Sequence, residues 1–135
     1  MPARLHSDPR RVAAVWLGGA LGALVRTGLG DAFPPAPHAW PWPTFIVNLA
    51  GSLILGAIVS IVLHRRQPST VFRPFLGAGF CGALTTFSTV QVEALRMARH
   101  DSAGLAAAYV ATSIVLGLLA AAAGGQMVRR AWRAA

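Results

Sequence analysis

The sequence predicts an all-α integral membrane protein of four transmembrane helices, the third of them broken near the bilayer midplane. Three observations lead there. Four apolar stretches, at about 12–30, 43–63, 74–97 and 103–127, each reach the roughly 20 residues that a helix needs to cross a hydrocarbon core. Hydrophobic residues make up 55% of the 135 and charged residues 12%, far too apolar a balance for an ordinary soluble domain. The third stretch, finally, is crowded with residues that weaken a continuous helix. Little chain lies between the stretches, so 1–135 is expected to be a single membrane domain. The first stretch is not expected to be a cleaved signal, because no polar mature domain follows it.

All twelve basic residues are arginine, and the formal net charge is +8. Their positions decide what that charge is for. Arg4, Arg10 and Arg11 precede the first span; Arg65, Arg66 and Arg73 separate the second from the third; Arg129, Arg130 and Arg133 follow the fourth. Four crossings put these three regions on one side, and the other side has only Arg96 and Arg99, with Arg26 towards the end of the first span. Such a bias marks the cytoplasmic face. Both termini are therefore expected in the cytoplasm, with the protein multi-pass in the cell (plasma) membrane. Contact with anionic lipid suits these arginines better than nucleic acid, and no nucleic-acid partner is expected.

In the first span Gly18, Gly22, Arg26 and Gly30 recur every four residues, which places them on one helical face. The connection "DAFPPAPHAWPWP" stops that helix with prolines and carries Trp40 and Trp42, residues that favour a membrane interface. It reads as a surface cap, with Pro43 a good first residue for the second span. That span repeats the stripe at Asn48, Ser52, Gly56 and Ser60, and the fourth at Ser113, Gly117, Ala121 and Gly125. Small residues let helix backbones approach closely, which drives association in lipid. The spans are built to pack on one another, and such stripes in so short a chain also suggest a second subunit. Between spans two and three, "HRRQPSTVFRP" is a basic turn ending at Pro74. His38, His64 and His100 lie in or beside loops without metal-ligand spacing, so no zinc site is expected. Lone Cys81 reads as a small packing residue.

Polar groups at membrane depth need a reason, because each costs several kcal/mol if unsatisfied. Arg26 could snorkel to the interface, clamp a helix end or line an anion vestibule. Asn48 could bond a neighbouring helix or face an aqueous entry. Glu93, near the far end of the third span, could cap, pair with an arginine or titrate. Tyr109, Thr112 and Ser113 form a hydroxyl track unless they bond their own helix. In the third span Gly77, Gly79 and Gly82, followed by Thr85, Thr86, Ser88 and Thr89, give weak intrinsic helix stability. A helix can break at that depth only where buried in protein or facing water, and freed carbonyls can then bind a small cation such as sodium. The alternative is a continuous helix whose hydroxyls bond the preceding turn.

The three segments "GGALGALVR", "PTFIVNLAGSLILG" and "GFCGALTTFST", in that order, resemble the Fluc (CrcB) family of fluoride channels, and the similarity covers all four spans. It implies an antiparallel, dual-topology-type dimer with two narrow pores through which fluoride leaves the cytoplasm passively. It implies a structural Na+ at the dimer interface, held by main-chain oxygens of Gly82 and Thr85. The pore residues by this resemblance are Asn48, Phe87, Val90, Tyr109 and Ser113, with Arg26 and Glu93 at the family's charged positions. Neutral donors suit a strongly hydrated anion that must enter and leave, and ring edges of phenylalanine add positive charge density without trapping it.

Two features depart from the family pattern. Val90 stands where a second phenylalanine is expected, and valine has no polarised ring edge. The arginine asymmetry disfavours insertion in both orientations. Together they suggest a heterodimer with an oppositely oriented paralogue. The competing reading is a four-helix antiporter of the small multidrug-resistance type, which needs a titratable carboxylate deep in a span; only Glu93 is available. A structural assembly subunit would leave the hydroxyl track and weak third helix unexplained. No nucleophile–base pair or metal constellation supports an enzyme.

Overall fold

Helix α1 (Pro9–Ala32) starts where the sequence supplies both a cap and a proline. The Asp8 carboxylate accepts the Arg10 amide at 3.0 Å, and Pro9 has no amide to leave unpaired. The computed structural model describes residues 8–36, 39–64 and 70–134. Arg4, His38, the side chain of His64, and positions 65–69 of the basic turn, Arg65 and Arg66 included, lie outside the described residues. Helix α2 (Trp42–His64) begins one residue before Pro43. The third span has three pieces: a π-helical segment Pro74–Cys81, a single turn α3 (Gly82–Leu84), and α4 (Phe87–Arg99). Helix α5 (Ala103–Arg133) runs past its expected end near 127 and includes the terminal arginines. Four stretches, Pro9–Ala32, Trp42–Leu63, Pro74–Arg99 and Ala103–Arg133, are long and apolar enough to cross a membrane, and no strand occurs among the described residues.

The wide turn of the π segment was not legible beforehand. The Gly82 amide donates to Gly77 O, one residue further back than an α-helix would allow. Two residues then leave the helix altogether. Thr85 (φ −79°, ψ 147°) and Thr86 (φ −147°, ψ 122°) are both extended, and they separate α3 from α4.

Packing is interleaved: α1 lies mainly against the π segment and α2 against α5. The glycine stripes make both contacts. A Cβ at Gly18 or Gly22 would collide with the carbonyls of Phe75 or Phe80, and one at Gly79 would sit 2.6 Å from Val15 O. On the other pair, a Cβ at Gly56 would meet the Ala121 carbonyl and one at Gly124 the Leu53 carbonyl. The stripes thus meet within the chain, so they argue for these helix pairs and not by themselves for a second subunit. Gly30, the last member of its stripe, has nothing within 4 Å.

The proline-rich connection is more than a surface cap. Trp40 packs edge-on against both Phe45 and Tyr109, with ring centroids 5.3 Å away in each case. It leans on a core cluster of Phe45, Val90, Met97, Ala106 and Tyr109. Trp42 does remain exposed, as an interfacial residue would. Cys81 is buried and free.

Candidate functional site

Beside the two extended threonines lies a groove of about 330 Å³. Asn48 and Ser52 line it from α2, Gly82, Thr85 and Thr86 from the third span, Phe87 and Val90 from α4, and Ser113 and Gly117 from α5. No charged side chain lines it among the described residues.

Asn48 holds the non-helical residues in place. Its Nδ2 donates to Thr86 O at 3.1 Å, and its Oδ1 accepts the Thr86 amide at 2.8 Å. A reciprocal pair of this kind fixes the orientation of the carboxamide, because only the oxygen can accept and only the nitrogen can donate. It also leaves the second Nδ2 hydrogen uncommitted by this pairing. The Thr86 side chain caps α4: its Oγ1 accepts the Thr89 amide at 3.2 Å and contacts Thr89 Oγ1 at 2.9 Å. The positive end of the α4 dipole therefore opens at the groove.

These bonds have a consequence for two carbonyls. In an unbroken α-helix the Thr86 amide would donate to Gly82 O and the Thr89 amide to Thr85 O. Here the first donor turns to Asn48 and the second to Thr86 Oγ1. Gly82 O and Thr85 O are thereby released from their helical partners. The neighbouring Ala83 O accepts Arg26 Nε at 3.0 Å. Arg26 therefore clamps the end of α3, one of the roles its position allowed.

The hydroxyls divide into two groups. Thr85 Oγ1 donates back to Cys81 O at 2.8 Å, which spends its proton on the preceding turn. Ser113 Oγ is buried and has no hydrogen-bond partner among the described residues. An unpaired buried hydroxyl is costly, so its position on the groove makes it a donor in search of a ligand. Phe87 is 69% exposed, whereas Val90 is only 5% exposed and faces both groove and core cluster.

Tyr109, expected beside the other pore residues, is fully buried and is not among the residues lining this groove. Its hydroxyl donates to Glu93 Oε2 at 2.8 Å, and Thr44 Oγ1 donates to Glu93 Oε1 at 2.6 Å. Glu93 is thus a buried carboxylate with a donor on each oxygen, placed as an internal tie between α2, α4 and α5. Asn48, Phe87, Val90 and Ser113 share the groove; Tyr109 and Glu93 form a second polar cluster, and Arg26 a third contact. Thr44 and Thr86 were missed as functional candidates. Thr44 could have been found, since it lies four residues before Asn48 and continues the polar stripe of α2.

Residues 13–125 match the family described as CrcB-like protein, Camphor Resistance (CrcB). The chain belongs to the CrcB family. It is 50% identical over 123 residues to a Mycolicibacterium paratuberculosis protein named fluoride-specific ion channel FluC 1, covering 91% of this chain and 93% of that one. It is 51% identical over 125 residues to FluC 1 of Mycobacterium tuberculosis, covering 93% and 95% respectively. A Thermobifida fusca protein named FluC 2 is 38% identical over 112 residues, 83% of either chain. The match reaches into every helix described above and includes both the Asn48–Thr86 pair and the Glu93 cluster. Membership of this family sets aside the multidrug-antiporter reading.

Proposed function

We propose that this chain is a subunit of a fluoride-specific channel that lets fluoride leave the cytoplasm passively and so confers fluoride resistance; it is not an enzyme. The CrcB-family relatives are named for that activity. The observation that carries the reading for this chain is a small set of uncharged hydrogen-bonding groups in an otherwise apolar groove. Asn48 Nδ2 has a hydrogen to spare, Ser113 Oγ has no partner, and Phe87 stands at the mouth. Donors of this kind can replace part of an anion's hydration shell without binding it too tightly to be released. The test is efflux from liposomes of fluoride against chloride, with and without Phe87→Ile. Selective fluoride efflux that drops at least tenfold in the variant is expected. Equal leakage of both anions, or indifference to the substitution, would refute the assignment.

The finer architecture follows as part of the same proposal. The groove is open along one side and Phe87 leaves its own chain, which supports closure by a second subunit in antiparallel orientation. The extended Thr85–Thr86 joint is then the break near the membrane midplane. Gly82 O and Thr85 O would hold a structural Na+ between the two subunits, neutralising the carbonyl dipoles that converge there. Exchange of sodium for a large organic cation should lower the unfolding temperature; no change would remove the sodium site. Tyr109 has no direct pore role in this arrangement, and acts through Glu93. The arginine bias supports cytoplasmic termini in the plasma membrane. It also supports a heterodimer with an inverted paralogue, as does Val90, and the numbered names of the relatives fit more than one such chain in an organism. Robust fluoride efflux from this chain expressed alone would count against the heterodimer.

A further inference from the structure

At the end of the molecule where α1 begins and α2 ends, a second cleft of about 640 Å³ has two unlike halves. One wall is aliphatic, with Leu55, Ile58, Val59 and Val62 along α2. The rim carries Arg11 from α1 and Arg73 from the start of the π segment. Both arginines are exposed, and neither guanidinium has a hydrogen-bond or ion-pair partner among the described residues. We propose that this cleft seats one anionic phospholipid, its phosphate on Arg11 and Arg73 and an acyl chain along α2.

The charge inventory supports an anion from outside the chain. The sequence has four acidic residues, Asp8, Asp31, Glu93 and Asp101. Four crossings leave Asp8 alone at this end, and its Oδ1 already caps α1 through the Arg10 amide. Arg10, Arg11, Arg73, Arg129, Arg130 and Arg133 are at the same end, so internal carboxylates cannot balance them.

The shape selects the kind of anion. A free phosphate or halide would have no use for an aliphatic wall, and desolvating it there would be unfavourable. A lipid satisfies both halves at once. From Leu55 to Val62 the wall extends about 10 Å along the helix axis, long enough for the upper part of an acyl chain to lie against it. The arginine stems pack on apolar surface while their heads reach the phosphate, and anionic lipids of the cytoplasmic leaflet attract such groups. This proposal does not depend on which ion the groove conducts.

Native mass spectrometry of the full chain, released from nanodiscs of mixed phosphatidylglycerol and phosphatidylcholine, tests it without any flux measurement. One retained phosphatidylglycerol per chain is expected, with phosphatidylcholine lost. The Arg11→Gln/Arg73→Gln pair should weaken retention about thirtyfold, from roughly fivefold for each arginine near an anionic surface. The Arg130→Gln/Arg133→Gln pair removes equal charge away from the cleft and should retain the lipid. Val59→Trp, which fills the wall and leaves the charges, should also expel it. Equal loss in both arginine pairs would reduce the effect to general surface charge, and equal retention of the two lipids would overturn the proposal. Disulfide cross-linking of Val59→Cys to a second copy would show that protein covers the cleft instead, which also overturns it.

Discussion

Replacing Asn48 in two ways should separate its structural from its conducting role. Asn48→Leu removes both bonds to Thr86 and leaves an amide and a carbonyl without their partner. Side-chain hydrogen bonds in membrane proteins contribute about 0.6 kcal/mol on average and up to about 1.7 kcal/mol. Two short reciprocal bonds, at 2.8 and 3.1 Å, put the expected loss near 2 kcal/mol. Asn48→Asp keeps an acceptor for the Thr86 amide but sets its second carboxylate oxygen against Thr86 O, so a loss at least as large is expected. Fluoride efflux should separate the two variants. The leucine withdraws one neutral donor from the ion, a change of about 1.5–3 kcal/mol for a bond to a charged group. The aspartate withdraws the donor and adds a negative charge. At ~5 Å and an effective dielectric of about 20, that repulsion is roughly 3 kcal/mol more, a further factor of about 100. Stability would be read by reversible unfolding in mixed micelles, and transport by a fluoride electrode outside loaded liposomes. Equal efflux from the two variants, or a leucine variant as stable as the parent, would refute the reasoning.

Glu93 offers a second test. Thr44→Val and Tyr109→Phe each strip one donor from its buried carboxylate, and each should cost about 1.5–3 kcal/mol in the same unfolding assay. Adding Glu93→Leu to the double variant removes the stranded charge and should recover part of the loss; neutral single variants would show that the carboxylate is not held by these hydroxyls. The α2–α5 contact can be probed at Gly56, where Gly56→Val drives a side chain into the Ala121 carbonyl and should abolish a monodisperse peak in size-exclusion chromatography. Gly28→Ala meets nothing within 4 Å and should be neutral or more stable by up to about 1 kcal/mol.

The spans were legible because twenty apolar residues in a row have few other destinations. The helix contacts were half legible: stripes at Gly18 and Gly56 announce close approach, yet nothing in a stripe names its partner. Tyr109 shows how much spacing leaves open. It lies four residues before Ser113, but four residues of α-helix turn through 40° more than a full circle and rise 6 Å, enough to leave the groove and meet Glu93. Thr86 was read only as a residue that weakens a helix, since its pairing with Asn48 spans 38 positions. The π segment was invisible for a related reason: Gly79 lies tight against α1, a tertiary contact that no local propensity records. Arg26 and Asn48 each had their observed contacts among the open alternatives, and only tertiary packing could choose between them.

The alternating partnership of the helices bears on how the chain is made. Because α1 waits for the π segment and α2 waits for α5, neither of the first two spans finds its main partner in the span that leaves the ribosome next. Each early span must enter the bilayer with its glycine face still bare, bathed by lipid until a later span displaces it. Such long-range partnering slows assembly. A nascent chain stopped before residue 103 would hold α2 in the membrane with its mate missing, a natural substrate for membrane quality control.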